Sequence, residues 1–137
     1  MAISDIIQIG ILLVAVVAIL CSHLNERKQR KLQLFSEYTR RYQDIFLNMP
    51  DDIYSGEVPI YDRTKRYLRL YFDLCSEEYH LWQDGVIPSK VWDLWIDGMR
   101  IAVNHTIYKK SWISLRDEYN EDFKSFSETD IINYKMS

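Results

Sequence analysis

Residues 6–24 constrain this chain most, because they run for nineteen positions without Asp, Glu, Lys or Arg. Twelve of these residues are Leu, Ile or Val. As an α-helix the stretch is roughly 29 Å long, which matches the hydrocarbon thickness of a bilayer. A buried helix of a soluble domain seldom stays free of charge over such a length. The sequence therefore predicts a transmembrane anchor over residues 1–24 and a separate domain over residues 25–137.

A basic cluster follows the apolar stretch and predicts which way it crosses the membrane. Arg27, Lys28, Arg30 and Lys31 lie within a few residues of its end, and such clusters mark the cytoplasmic side. Before the apolar run there is Asp5 and no Lys or Arg, so the positive segment that opens a cleaved signal peptide is missing. We therefore expect the lipid bilayer as a partner and a single-pass protein of the cell inner membrane, with its N-terminus outside and its domain in the cytoplasm.

Small side chains inside the apolar stretch offer a surface on which two spans can pack. Ala15, Ala18 and Ser22 fall within about 60° of one another on a helical wheel, and small residues let helices approach closely in a membrane. Scattered Ala and Ser are also ordinary in membrane spans. The pattern leaves open whether this strip forms a homo-oligomer.

Charge and cysteine content argue against a nucleic-acid-binding protein and against a domain held together by disulfide bonds. The net charge is −3, which argues against a broadly basic nucleic-acid binder, so we expect no nucleic-acid partner. The charge is uneven: residues 26–44 hold six Lys or Arg against three acids, and residues 116–130 hold six acids against two bases. Cys21 and Cys75 are too few and too far apart for a disulfide framework, which favours a reducing compartment.

The domain is predicted to be all-α, a small bundle of about four to five helices that begins as a continuation of the spanning helix. Residues 25–48 contain neither Gly nor Pro, whereas residues 48–62 are rich in turn formers and predict a loop. Helices are then expected over residues 62–83, 89–104 and 106–119, and a short further helix begins after Asn120.

The apolar stripes of these helices predict the core. The residues that share those stripes are Phe35, Tyr42, Tyr71, Leu74, Trp95, Met99 and Trp112. Gly98 falls within the apolar arc of its helix, where the absence of a side chain leaves room for a close approach of another helix.

One segment carries a resemblance. Residues 71–99 combine an aromatic-rich helix, a Gly-Val-Ile turn and a Val-Trp-Asp-Leu-Trp helix, and a later Trp112 and a Phe-x-x-Phe pair at Phe123 and Phe126 complete the pattern. The chain thereby resembles an uncharacterised family of small bacterial proteins with one N-terminal span and a helical cytoplasmic domain. The resemblance implies a fold and no activity.

Catalytic patterns are sparse. Glu77 and His80 have the i, i+3 spacing of di-iron bundles, but those sites need two such pairs and two further glutamates. The chain has four glycines, no phosphate-binding glycine loop and no nucleophile elbow. We therefore expect no enzyme activity, no metal and no cofactor.

Aromatic residues make up 14% of the chain, and two interpretations of them stay open. Most lie on stripes that a small bundle buries as its core. Some of them, in particular Trp82, Trp92 and Tyr108, are candidates for an exposed surface that binds a protein partner, because Tyr and Trp dominate interface energetics.

Glu78 is the one charged residue in the middle of the apolar arc of the central helix, so we expect it to be at least half buried. A buried carboxylate is costly unless it is paired or protonated. Arg41 and Arg100, or Arg116, are the candidate cations for a pair that fixes helix register, and protonation with a raised pKa is the other outcome. A ligand or proton site at Glu78 is left open.

Two function classes follow. The first is a membrane-anchored helical interaction or regulatory module without catalytic activity. The alternative is a membrane-associated effector or sensor in bacterial stress or phage defence, for which the small single-span layout is the only support.

Overall fold

The protein is all-α in its computed structural model, which describes residues 2–54 and 62–134. A long N-terminal apolar helix is followed by a small helical bundle. In chain order the α-helices are α1 (Ile3–Asn48), α2 (Asp51–Tyr54), α3 (Asp62–Gln83), α4 (Ser89–Val103), α5 (Thr106–Leu115) and α6 (Glu121–Phe126). A 3₁₀-helix at Arg116–Glu118 joins α5 to α6, and a π-helical segment at Ser127–Ile132 follows α6.

The chain divides into two compact units, Met1–Ser36 and Glu37–Ser137. In the first unit α1 carries the apolar stretch, and its residues 2–33 are exposed. Among the described residues α1 is the helix that is long and apolar enough to cross a membrane, a property that signal sequences near an N-terminus share. The helix runs without interruption to Asn48, as the absence of Gly and Pro predicts.

The segment after α1 differs in part from the predicted loop. The short helix α2 lies within it, and Met49 and Ile53 are buried. Positions 55–61 of that loop lie outside the described residues, as does the side chain of Asp62 at the start of α3.

Helix α3 is the centre of the second unit, with the bounds that the sequence predicts. The apolar residues that it buries are Leu68, Tyr71, Phe72, Leu74, Cys75 and Tyr79. The helix ends at a glycine: Gly85 has φ +70°, its N–H donates to the carbonyl of Trp82 at 2.9 Å, and the Val86 N–H donates to that of Leu81 at 2.9 Å. This pair of bonds satisfies the last carbonyls of the helix, and glycine adopts the required left-handed conformation without strain.

Helices α4 and α5 depart in part from expectation. The sequence pattern places Leu94 on the apolar side of α4 with Trp95 and Met99, but Leu94 is 68% exposed. A Cβ added at Gly98 would meet no atom within 4 Å among the described residues, so none of them uses the room that this glycine leaves for a close approach. Helix α5 ends at Leu115, earlier than predicted, and continues as the 3₁₀-helix. The cap of α6 is confirmed, because the Asn120 Oδ1 accepts a hydrogen bond from the Phe123 N–H at 2.9 Å.

The core is largely aromatic. Of the predicted core residues, Tyr71, Leu74, Met99 and Trp112 are buried, with exposures of 1 to 3%. The prediction is wrong for Phe35 and Tyr42, which are 38% and 37% exposed, and Trp95 is only partly buried. Both Phe35 and Tyr42 lie on α1, of which Tyr38 is buried. The prediction fails there because an apolar stripe in the sequence shows only that a residue can be buried.

Candidate functional site

An open groove lies on the second unit where α3, α4 and α6 meet. Four aromatic side chains line it, namely Tyr79 and Trp82 from α3, Trp92 from α4, and Phe126 at the end of α6. We call this site the aromatic groove. Its volume is about 520 Å³, and it lies within the range of ligand-binding clefts, which are about 300 to 1,000 Å³.

The four rings pack as two stacked pairs. Trp82 and Trp92 are nearly parallel, with an interplanar angle of 7° and ring centroids 4.8 Å apart. Tyr79 and Phe126 stack at 4.4 Å with an angle of 21°. Trp92 and Phe126 join the two pairs at 5.6 Å. Because Trp92 and Tyr79 are 4% and 7% exposed while Trp82 and Phe126 are only partly buried, each pair has one ring in the core and one at the surface.

Acidic residues flank the rings. Among the described residues that line the groove, the charged ones are Asp122 and Asp130. The pKa of the Tyr79 hydroxyl is raised, mainly by burial and further by the negative charges of Asp122 and Asp130, which opposes formation of a phenolate beside them. Gln83 donates a hydrogen bond to the same hydroxyl at 2.9 Å, and this bond lowers the pKa of Tyr79 in part. The groove therefore combines aromatic surface with negative potential.

The structure places the three predicted partner-surface residues differently. Trp82 and Trp92 are neighbours in the aromatic groove, but Trp92 is only 4% exposed, so its assignment to an exposed surface is wrong. Tyr108 is 0% exposed and packs edge-on against Tyr71 at 5.0 Å, so it belongs to the core and its assignment to an exposed surface is wrong. The reason is that Tyr108 lies on the face of α5 turned toward α3, which helical periodicity alone does not distinguish from an exposed face.

Apart from the aromatic groove, a polar cluster joins α1 to α3 within the second unit. Arg41 donates from Nη1 to the Glu77 Oε2 at 2.6 Å and from Nη2 to the Oε1 at 3.0 Å, which forms a bidentate pair. The Tyr38 hydroxyl donates to the Oε2 at 2.9 Å. Hydrogen bonds from Arg41 are the largest influence on Glu77 and lower its pKa, whereas burial and the hydrogen bond to Glu77 raise the pKa of Tyr38 to about 12.

Glu78 is buried, with 6% of its surface exposed, which confirms the expected burial. Arg41, the first candidate cation, forms its bidentate pair with the neighbouring Glu77 and not with Glu78. Burial raises the pKa of Glu78 to about 8; the charge of Glu77 adds to this shift and that of Arg41 opposes it. Of the two outcomes that the sequence left open, the structure favours a protonated carboxyl near neutral pH.

The other candidate cations also have partners away from Glu78. The Arg100 Nε donates to the main-chain carbonyl of Asp130 at 2.9 Å, and its guanidinium lies 3.6 Å from the centroid of the Tyr134 ring. Arg116 pairs with Glu128 at 2.8 Å. Both arginines therefore hold the π-helical segment against the bundle.

The Glu77 and His80 side chains do not converge on one site. Glu77 binds Arg41, whereas the His80 Nε2 lies 2.9 Å from the Asn120 Nδ2. Within the described residues there is no group of three or more His, Cys, Asp or Glu side chains placed to hold a metal ion. Cys21 and Cys75 are both free thiols.

The remaining candidates lie in the first unit. The membrane-proximal basic residues Arg27, Lys28, Arg30 and Lys31 are exposed, and so are Ala15, Ala18 and Ser22. Sequence reasoning missed the other groove residues, Tyr79, Phe126, Asp122 and Asp130. The excess of acids in residues 116–130 was a signal for the two aspartates, but the sequence does not show that they lie beside the tryptophans.

Comparison with known proteins identifies no family, since no family model, no curated protein and no solved structure matches the sequence significantly.

Proposed function

We propose that the chain is a membrane-anchored interaction module without catalytic activity, and that its helical domain binds a protein partner through the aromatic groove. The observation that carries this proposal is the groove itself. Two rings that are only partly buried, Trp82 and Phe126, remain at the surface beside two that are buried. Partly exposed aromatic clusters of this kind are typical of interface hot spots.

The proposal includes an orientation. The apolar helix anchors the chain in the cell inner membrane as a single pass, with its N-terminus outside and its domain in the cytoplasm. Support comes from the length and apolar composition of that helix and from the basic residues that follow it at Arg27, Lys28, Arg30 and Lys31. The resemblance to small single-span bacterial proteins agrees with this layout.

Reporter fusions test the orientation. A green fluorescent protein fused to the C-terminus is expected to fluoresce, and alkaline phosphatase fused at the same point is expected to be inactive. Active phosphatase with a dark fluorescent fusion would reverse the orientation and place the groove outside the cell.

Site-specific photo-cross-linking tests docking at the groove. A photoreactive amino acid at Ser125 or Thr129, both exposed groove residues, is expected to give a discrete cross-linked protein in cells. Ile113 is the matched control, since it is 70% exposed and does not line the groove. Cross-links of equal yield and identity from Ile113 would contradict docking at this site.

Truncation of Trp82 supplies the energetic test. Hot-spot residues cost about 2 kcal/mol or more on truncation, so Trp82→Ala should weaken partner binding by roughly thirtyfold. Ile113→Ala removes an exposed apolar side chain outside the groove and should leave binding unchanged. The affinity of each full-length variant is measured in detergent for the partner that cross-linking identifies, with circular dichroism to show that each is folded.

A further inference from the structure

We infer that the aromatic groove accommodates an arginine side chain from a peptide segment of the partner protein. The inference rests on the proposed docking at the groove and adds the chemistry of what docks. Two features carry it: a pair of carboxylates at the groove and the stacked rings beside them.

The carboxylates of Asp122 and Asp130 give the groove its charge. Among the described residues neither side-chain carboxylate has a hydrogen bond or an ion pair. Both lie near enough to the Tyr79 hydroxyl to affect its ionisation. A groove with two uncompensated acids and an aromatic wall attracts a cation and disfavours an acidic or phosphorylated segment.

Among the described residues, the nearby cations Arg100 and Lys124 have other partners than the two groove carboxylates. Arg100 donates to the main-chain carbonyl of Asp130 and to the Asp97 carboxylate, and it covers the Tyr134 ring. Lys124 pairs with Glu121 at 3.0 Å and with Asp117 at 3.4 Å. The carboxylates of the two groove aspartates therefore stay available to an incoming cation.

The aromatic wall selects among cations. Trp92 covers one face of the Trp82 indole by stacking on it, and Trp82 is only partly buried, so part of its ring remains accessible to a ligand at the groove. A guanidinium is planar and weakly hydrated, which lets it stack on an indole while its N–H groups bind a carboxylate. A lysine ammonium provides the charge without the planar fork. The groove chemistry therefore favours arginine over lysine, and lysine over a neutral side chain.

Three synthetic pentapeptides test the inference. They share the sequence acetyl-Gly-Leu-X-Leu-Gly-amide, in which X is arginine, lysine or citrulline, the neutral isostere of arginine. Binding to the full chain in non-ionic maltoside micelles is followed by tryptophan fluorescence, because zwitterionic detergents carry a competing ammonium group. We expect the arginine peptide to bind at least tenfold more tightly than the citrulline peptide, with the lysine peptide between them.

Charge-neutral variants locate the binding. The double variant Asp122→Asn, Asp130→Asn should reduce the arginine peptide to the affinity of the citrulline peptide. The matched control is Asp84→Asn, Asp93→Asn, which makes the same change in net charge at exposed positions outside the groove. It should retain the affinity of the unmodified chain.

Three outcomes would overturn the inference. Equal affinities for the arginine and citrulline peptides would show that the groove does not distinguish a charged side chain from a neutral one. Arginine binding that survives in the groove variant would place the cation site elsewhere, and a folded chain that binds none of the peptides would remove the site altogether. In each case cross-links specific to Ser125 and Thr129 would still support groove docking, whereas their absence would refute docking itself.

Discussion

Glu77 and Glu78 are neighbours on α3, but the structure gives them opposite environments. Glu77 is exposed and accepts hydrogen bonds from both Arg41 and Tyr38, so its pKa is lowered. Glu78 is buried and has no hydrogen bond or ion pair among the described residues, and its pKa is raised to about 8. One step along a helix turns a side chain by about 100°, which is enough to exchange a paired surface position for a buried one. Burial and hydrogen-bonding partners, and not residue type, therefore decide the direction in which the pKa of each carboxyl shifts.

The largest expected effect is a dependence of stability on pH caused by Glu78. The folded pKa of about 8 lies above the ordinary value of 4.5, so the folded state binds the proton more tightly than the unfolded state. The contribution of Glu78 to stability is complete below about pH 4.5 and is lost as the pH rises through about 8. Between pH 5 and pH 8 the free energy of unfolding should fall by roughly 3 kcal/mol.

Denaturant unfolding of the full chain in maltoside, repeated across this pH range, measures that fall. Glu78→Gln keeps the shape and removes the titration, so its free energy of unfolding should change far less over the same range. Glu77→Gln is the matched control and should retain most of the fall, because burial is the main cause of the raised pKa of Glu78 and the charge of Glu77 is a smaller one. If the free energy of unfolding falls equally with pH in Glu78→Gln and in the unmodified chain, the pH dependence comes from other groups.

Replacement of Glu78 by an apolar residue should stabilise the protein at pH 8. Glu78→Met fills a similar volume and removes the cost of a buried, unpaired carboxyl, which at pH 8 should add about 2 kcal/mol to the free energy of unfolding. At pH 5 the carboxyl is protonated and Glu78 contributes roughly 3 kcal/mol more to stability than at pH 8, so the gain should disappear and turn into a loss of about 1 kcal/mol. A loss of several kcal/mol in the same denaturation experiment would show that Glu78 has a stabilising partner after all.

Removal of Arg41 should raise the pKa of both Glu77 and Glu78, because Arg41 lowers both. Arg41→Gln removes the bidentate pair with Glu77, which should cost about 1 kcal/mol because the pair is partly exposed. A double-mutant cycle with Glu77→Gln should give a coupling of the same size. Arg41 also opposes the raised pKa of Glu78, so in the variant the pH-dependent fall should extend to higher pH. A coupling near zero would mean that the pair contributes no stability.

The smallest expected effect is that of Tyr38→Phe. It removes one hydrogen bond to Glu77 and keeps the ring that packs 5.7 Å from Trp95. The cost should be about 0.5 to 1 kcal/mol in denaturant unfolding, because Arg41 still satisfies the carboxylate. A larger cost, or a changed pH dependence of Glu78, would show that Tyr38 acts on the buried carboxyl as well.

Local chemistry accounts for much of what the sequence predicts correctly. Apolar length identifies the candidate span, Gly85 marks the end of α3, and Asn120 marks the start of α6, because each of these depends on residues close in the chain. The apolar period likewise identifies Tyr71, Leu74 and Trp112 as core residues and Glu78 as a buried acid.

Tertiary structure decides the properties that depend on which helix covers which face. An apolar stripe shows that a residue can be buried but not that a neighbour reaches it, so Tyr42 stays exposed while Tyr108 is buried. The same reason makes Arg41 bind Glu77 and leaves Glu78 without it. Trp82 and Trp92 stack beside Phe126 only because α6 returns to α3 and α4, across a separation of more than thirty residues. Such contacts depend on the paths of several helices together, and the residues of one helix do not encode them.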